Sequence, residues 1–209
     1  IMLKKLTVGS FQSNCYIYYY LDSKKALVID PGDELSKIER FLKQHELEVE
    51  AIFLTHGHID HISALHGLHM HYPNAKVYIH EEDYPFLLDA RLNLSGSMLQ
   101  VPFIYKDEVI KLKDQDCICA LDQKIVCLHF PGHTPGSCMY AFEEEHCLFS
   151  GDVLFAGSIG RYDLPLGSHA DTKESLLKIK SLDATYKLYP GHNEASSIEQ
   201  ELKTNPFLR

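Results

Sequence analysis

Three things are missing from this sequence, and each absence excludes a class of function. No apolar run approaches the ~20 residues that a bilayer-crossing helix needs, so no membrane partner is expected. No Lys/Arg cluster is present: 20 basic residues against 29 acidic ones leave a formal charge of −9 and a pI near 5.8. That argues against a nucleic-acid surface, because phosphate-backbone binding rests on grouped cations. Low-complexity segments and linker-like stretches are absent too, so the 209 residues read as one domain, 1–209, burying roughly 70% of its unfolded surface. The opening "IMLKKLTVGS" has two lysines but no apolar stretch followed by a small-residue cleavage site, so no secretory leader is expected. Cysteines are present, at Cys15, Cys117, Cys119, Cys127, Cys138 and Cys147, but their spacings match neither a zinc knuckle nor a disulfide scaffold. A reduced, cytoplasmic protein is the expectation. Cys117 and Cys119 share one face of a strand and are expected to pack there rather than to bind metal or cycle redox state.

What is there is an alternation of strands and helices. "NCYIYYYL" and "KALVID" read as neighbouring strands joined by a turn at Asp22 to Lys24. "ELSKIERFLKQH" carries Leu35, Ile38, Phe41 and Leu42 at helical spacing, and the strand "AIFLT" follows. "ISALHGLHMHY" reads as helix, "AKVYIH" as strand, and "EEDYPFLLDARL" as helix around a proline in its first turns. In the second half, "KIVCLHF", "SCMYAF", "HCLFSG" and "YKLYP" are strands, while "TKESLLKIKSL" and "EASSIEQELKT" are helices. A pair of mixed sheets with helices on both outer faces accommodates all of these.

Four of the strands end in side chains able to bind a metal. "AIFLT" runs into "HGHIDH", which holds His56, His58, Asp60 and His61; "KIVCLHF" runs into His133, "HCLFSG" into Asp152, and "YKLYP" into His192. A glycine or proline turns the chain at these ends. One histidine at a strand end is ordinarily a satisfied structural residue, but five imidazoles and two carboxylates delivered by one architecture form a metal-ligating constellation.

These residues resemble the metallo-β-lactamase fold, and within it the short, single-domain glyoxalase II-like (hydroxyacylglutathione hydrolase-like) proteins. The resemblance is carried by "THGHIDH" (Thr55 to His61), "GHTPGS" (Gly132 to Ser137), "SGDVLF" (Ser150 to Phe155), "GRYDLPLGS" (Gly160 to Ser168), "PGHN" (Pro190 to Asn193) and "VIDPG" (Val28 to Gly32), in order over nearly the whole chain. It implies an α/β class fold, a four-layer αββα sandwich of two mixed β-sheets flanked by helices, with the site at one edge between the sheets. It also implies two divalent ions, zinc first, with iron or manganese equally suited to imidazole and carboxylate ligands. His56, His58 and His133 would hold one ion and Asp60, His61 and His192 the other, with Asp152 bridging. Two ions ~3.5–4 Å apart can share a hydroxide whose pKa falls to around 7. The activity implied is hydrolysis of a small thioester or ester, with Asp60 orienting the nucleophile. Only Asn193 to Arg209 follows His192, so the helical C-terminal domain of full-length glyoxalase II enzymes is not expected, and glutathione recognition is left open.

The resemblance also accommodates a persulfide dioxygenase-like oxidoreductase, whose single iron would take His56, His133 and Asp152. A metal-binding protein without catalysis is the non-enzyme alternative. A flavodiiron-type reductase fits less well because it wants Glu where His58 stands. Among the remaining residues, Asp30 is either a partner orienting a ligand histidine or a turn-former before Pro-Gly. Arg161 and Asp163 are expected to pair with each other, Tyr162 and Phe155 to line the mouth, and Thr134 and Ser137 to hold the "HTPGS" turn by local hydrogen bonds. His45, His66, His69, His71, His80, His129, His146 and His169 are read as solvated or packed.

Overall fold

The computed structural model describes residues 1–209, and its backbone builds two six-stranded sheets. The first runs in sequence order: β1 (Met2–Val8), β2 (Ser13–Tyr20), β3 (Lys25–Ile29), β4 (Glu48–Leu54), β5 (Lys76–His80) and β6 (Ile110–Leu112). Its first three strands are antiparallel and β3 to β6 are parallel. The second sheet contains β7 (Cys117–Ala120), β8 (Gln123–His129), β9 (Cys138–Phe142) and β10 (Cys147–Gly151). A small hairpin of β11 (Leu154–Phe155) and β12 (Ser158–Ile159) follows, before β13 (Lys187–Pro190) and β14 (Ser196–Ser197) complete the sheet in the order β14-β13-β10-β9-β8-β7. Here β10 and β13 are parallel and the other pairs antiparallel, so both sheets are mixed.

Alternation along the strands sorts the apolar residues into three layers. Cys15, Ile17 and Tyr19 of β2 face outward onto α1 (Leu35–Gln44) and α3 (Leu65–His71), where Ile38, Leu42, Leu65 and Leu68 are buried. Tyr16 and Tyr18 face the other way, into a middle layer where Phe53 stacks on Tyr78 at 4.9 Å and meets Tyr140 edge-on at 5.0 Å. Behind the second sheet, Met139, Leu148 and Leu188 pack with Ile179 of α6 (His169–Ile179) and Ile198 of α7 (Ile198–Thr204). Helix, sheet, sheet, helix: the expected αββα sandwich is the fold.

Most elements match the sequence pattern, and the differences have local causes. β1 lacks a clean apolar run and was not expected; it exists because it pairs with all seven of its residues along β2. α6 starts at His169, ahead of Thr172, because Ser168 caps it by accepting from the Asp171 N–H. The last helix begins only at Ile198, with Ser197 capping from the Gln200 N–H. Cys117 and Cys119 do share a face of β7, but that face is exposed rather than packed. No helix is long and apolar enough to cross a membrane.

Candidate metal centre

The parallel and alternating strand directions bring several strand ends to one edge. β3, β4 and β5 are parallel, and in the second sheet β8, β10 and β13 share a direction because the antiparallel β9 lies between β8 and β10. Asp30 follows β3, Thr55 and His56 follow β4, His133 lies beyond β8, Asp152 beyond β10 and His192 beyond β13. A short helix, α2 (Ile59–Ile62), has His58 at its N-cap and Asp60 and His61 in its first turn.

The seven expected residues all converge. His56, His58 and His133 present ring nitrogens, and Asp60, His61 and His192 present a carboxylate oxygen and ring nitrogens, within 4.8 Å of one another in each group. Asp152 lies between the groups: Oδ1 is 3.3 Å from His61 Nε2, and Oδ2 is 3.6 Å from His133 Nε2 and 3.4 Å from His192 Nε2. His56, His58, His61, His133 and Asp152 are buried, while Asp60 and His192 are 20% exposed at the side chain.

Hydrogen bonds outside this group set the tautomers of three imidazoles. Thr55 Oγ1 donates to Asp30 Oδ2 at 2.6 Å and so accepts from His56 Nδ1 at 3.1 Å. His61 Nδ1 donates to Asp30 Oδ2 at 3.0 Å, and His133 Nδ1 donates to the Arg161 carbonyl at 2.7 Å. Each turns Nε2 toward the cluster. His133 Nε2 then lies 2.9 Å from His58 Nδ1, so two lone pairs face each other unless a proton or a cation intervenes. His56 Nε2 and Asp152 Oδ1 are buried with no hydrogen-bond partner, the Asp152–His61 approach being close but misaligned for a hydrogen bond. Buried acceptors without donors fit a divalent metal.

The electrostatics agree. Burial pushes the His56 imidazole well below its ordinary value, with His61 and His133 adding to it, and burial takes His58 down to about 3. For Asp60 and Asp152 burial acts upward, but the charge of His61 and the close approach of the His192 and His61 ring nitrogens hold both below the usual carboxylate range. Against the effect of burial, Asp60 and Asp152 raise His61, and hydrogen bonds to the same two carboxylates take His192 to about 9. The cluster is therefore divided between neutral imidazoles on one side and a charged carboxylate–imidazole group on the other.

Two parts of the scaffold were not foreseen. Asp83, at the end of a 3-10 turn (Glu81–Asp83), is fully buried and ties both histidine loops together. It accepts from the Gly57 N–H at 2.8 Å, between His56 and His58, and from Thr134 Oγ1 at 2.8 Å and the Gly136 N–H at 2.6 Å, beside His133. Its local sequence, "EED", looks like an ordinary acidic helix start. Asn14 of β2 holds the turn that carries His192, donating from Nδ2 to the carbonyls of Pro190 at 3.0 Å and Asn193 at 2.9 Å. Tightness explains the neighbouring glycines: a Cβ at Gly191 would collide with Asp152 Oδ1, and Gly151, at φ 48, abuts Thr55.

The other expectations divide. Asp30 is the orienting partner, and it also turns the chain from a left-handed backbone at φ 50. Arg161 and Asp163 pair at 2.6 and 2.9 Å. Phe155 lines the cavity above the site, whereas Tyr162 stacks on His169 at 4.8 Å. Ser137 Oγ accepts from the Thr134 N–H, as the turn required. His80 and His129 stack on each other at 3.9 Å, away from the cluster.

Residues 8–192 match the metallo-beta-lactamase superfamily. The chain belongs to that superfamily. Within it, the chain is 32% identical to hydroxyacylglutathione hydrolase GloC of Haemophilus influenzae, over 97% of this chain and 96% of that protein. Among solved superfamily structures, BLEG-1 B3 metallo-beta-lactamase superposes with a TM-score of 0.90 at 34% identity, covering 99% of each chain. TTHA1623 in a di-iron-bound form superposes with a TM-score of 0.86 at 34% identity, covering 98% of this chain and 100% of that one. Superfamily membership and the buried His/Asp clusters support a metal-dependent hydrolase.

Proposed function

We propose that this protein hydrolyses a small thioester or ester in the manner of glyoxalase II, with two divalent ions held by His56, His58 and His133 and by Asp60, His61 and His192. The observation that carries the reading is Asp152, whose two oxygens reach ring nitrogens of both triads. The likeness to the hydroxyacylglutathione hydrolase GloC of Haemophilus influenzae supports the thioester class, and the di-iron state of TTHA1623 supports iron beside zinc or manganese.

When bound, the ions would supply an activated water at neutral pH and positive charge for the developing oxyanion. The protein's own residues do the rest. Asp30 and the Arg161 carbonyl hold His61 and His133 with Nε2 inward. Asp60 lines the cavity, where its carboxylate can orient the attacking water as a hydrogen-bond acceptor. No serine, cysteine or lysine nucleophile is called for.

Replacing Asp60 with Ala tests this reading. Metal per chain is expected to fall from about two toward one, and thioester hydrolysis by at least the ~10²-fold typical of losing one preorganised electrostatic element. Full hydrolysis in a verified one-metal variant would overturn the role given to the second ion. Persulfide-dependent oxygen uptake that survives in a one-iron variant would replace the hydrolase with a mononuclear oxygenase.

A further inference from the structure

The space above the candidate ligands is apolar. A cavity of about 370 Å³, at the low end of the ~300–1,000 Å³ of small-molecule sites, is walled by Phe11, Leu94, Met98, Phe155 and Leu164. Phe11 is 53% and Met98 45% exposed, and neither belongs to any of the three apolar layers of the fold. The two also border a smaller cavity of about 90 Å³, beside Leu99. Leu94 lines the main cavity from a left-handed backbone at φ 71, a conformation that a leucine keeps only where its surroundings hold it there.

The cations near the mouth are already committed. Arg161 is the only Lys or Arg lining the cavity, and its guanidinium is paired with Asp163 through two hydrogen bonds. Lys5, in a polar recess beyond Phe11, is held by Glu194 at 3.1 Å and by the Asn193 carbonyl at 3.2 Å. Apart from the candidate metal cluster itself, a carboxylate-bearing thiol such as glutathione would find no lysine or arginine without an acidic partner here, and the chain's net charge of −9 works against it. Burying an unpaired carboxylate is costly, whereas burying methylenes is favourable.

We propose that this pocket selects a thioester with an uncharged, apolar aliphatic acyl chain, seated against Phe11 and Met98. The proposal rests on the hydrolase reading and names its substrate class. In the reaction, the water oxygen bonds to the acyl carbon and the carbon–sulfur bond breaks. Sulfur leaves with the bonding pair and takes one water proton, giving a carboxylic acid and a thiol with no change of oxidation state.

The test uses metal-loaded protein and N-acetylcysteamine thioesters of acetic, butyric, hexanoic and octanoic acid, beside S-lactoylglutathione. kcat/KM is expected to rise about fourfold per added methylene until the chain outgrows the cavity, the factor that ~0.8 kcal/mol per buried CH₂ gives. Phe11→Ser and Met98→Ser, each checked for metal content and melting temperature, should flatten the rise. Affinity for the matching ketones, with a methylene in place of sulfur, is measured by ligand-observed NMR and reads the same gradient without turnover. A flat series in both rate and ketone affinity overturns the inference, as does S-lactoylglutathione outperforming the hexanoyl thioester. A rise left unchanged by both serine variants overturns the assignment to this pocket. A rising ketone affinity with no thioester hydrolysed upholds the apolar pocket and removes the hydrolase reading instead.

Discussion

Nδ1 of His61 lies 3.0 Å from Oδ2 of Asp30, and both side chains are out of solvent. The same carboxylate accepts from the N–H and the Oγ1 of Thr55, at 2.8 and 2.6 Å, and Thr55 in turn orients His56. One carboxylate therefore aims one imidazole of each candidate metal triad, a degree of control that the ligands alone do not have.

Asp30→Ala should for this reason weaken both sites, although Asp30 is not among the proposed ligands. Metal affinity is expected to fall by about 10–100-fold, the usual effect of removing a group that orients ligand histidines. Titration with a competing chelator measures it. Wild-type affinity at both sites would show that the His61 and His56 orientations are held by packing alone.

Asp83→Ala should loosen the two histidine loops together. It strips an acceptor from two buried N–H groups and one hydroxyl, at ~1–3 kcal/mol each, partly offset by removing a buried carboxylate that burial itself pushes up to about 6. The net loss is expected to be about 2–4 kcal/mol by chemical denaturation, together with weaker metal binding by the His56, His58 and His133 group. A variant of wild-type stability and affinity would remove Asp83 from the scaffold of the site.

Chelation should lower the melting temperature, because metal binding to the native state adds stability by mass action. At a free metal concentration 100-fold above Kd one site contributes about 2.7 kcal/mol, or roughly 5–10 °C for a chain of this size. Re-addition of zinc, iron or manganese should restore it. An unchanged melt after verified metal removal would break the link.

The metal-free protein should be most stable near neutral pH. His58 is neutral in the fold down to about 3, whereas the unfolded chain takes up that proton near its ordinary ~6.5, so stability falls as pH drops through this window. The lowered Asp60 and Asp152 act in the same direction: their contribution is full above ~4 and is lost as pH falls. His192, raised to about 9, acts oppositely, its contribution being present below ~6.5 and lost as pH rises to about 9. Melting temperatures of metal-free protein across pH, beside His58→Gln, should show an acid-side fall that the variant reduces. A flat acid side would contradict the burial of His58 as a neutral ring.

The amino-acid sequence by itself determined where the apolar strands end and which side chains follow them. Period-2 and period-3.6 patterns are local, and a histidine or aspartate after a strand and a glycine turn is visible without any partner. That is why all seven convergent residues, from His56 to His192, were legible. What only tertiary structure decided is what each of them touches. Asp30 as turn or as orienting group was undecidable until β3 lay beside β4, and β1 declared itself only through pairing with β2. Asp83 sits about 50 residues along the chain from the Thr134 and Gly136 that it ties to Gly57, and Asn14 about 180 from Asn193, so no window of sequence contains either contact. The exposed face of β7 that left Cys117 and Cys119 in solvent depends likewise on strand order, which places β7 at the edge of its sheet. Which residues are candidate ligands follows from residue type and local pattern, whereas their orientation and the shape of the pocket depend on long-range packing that brings distant segments together.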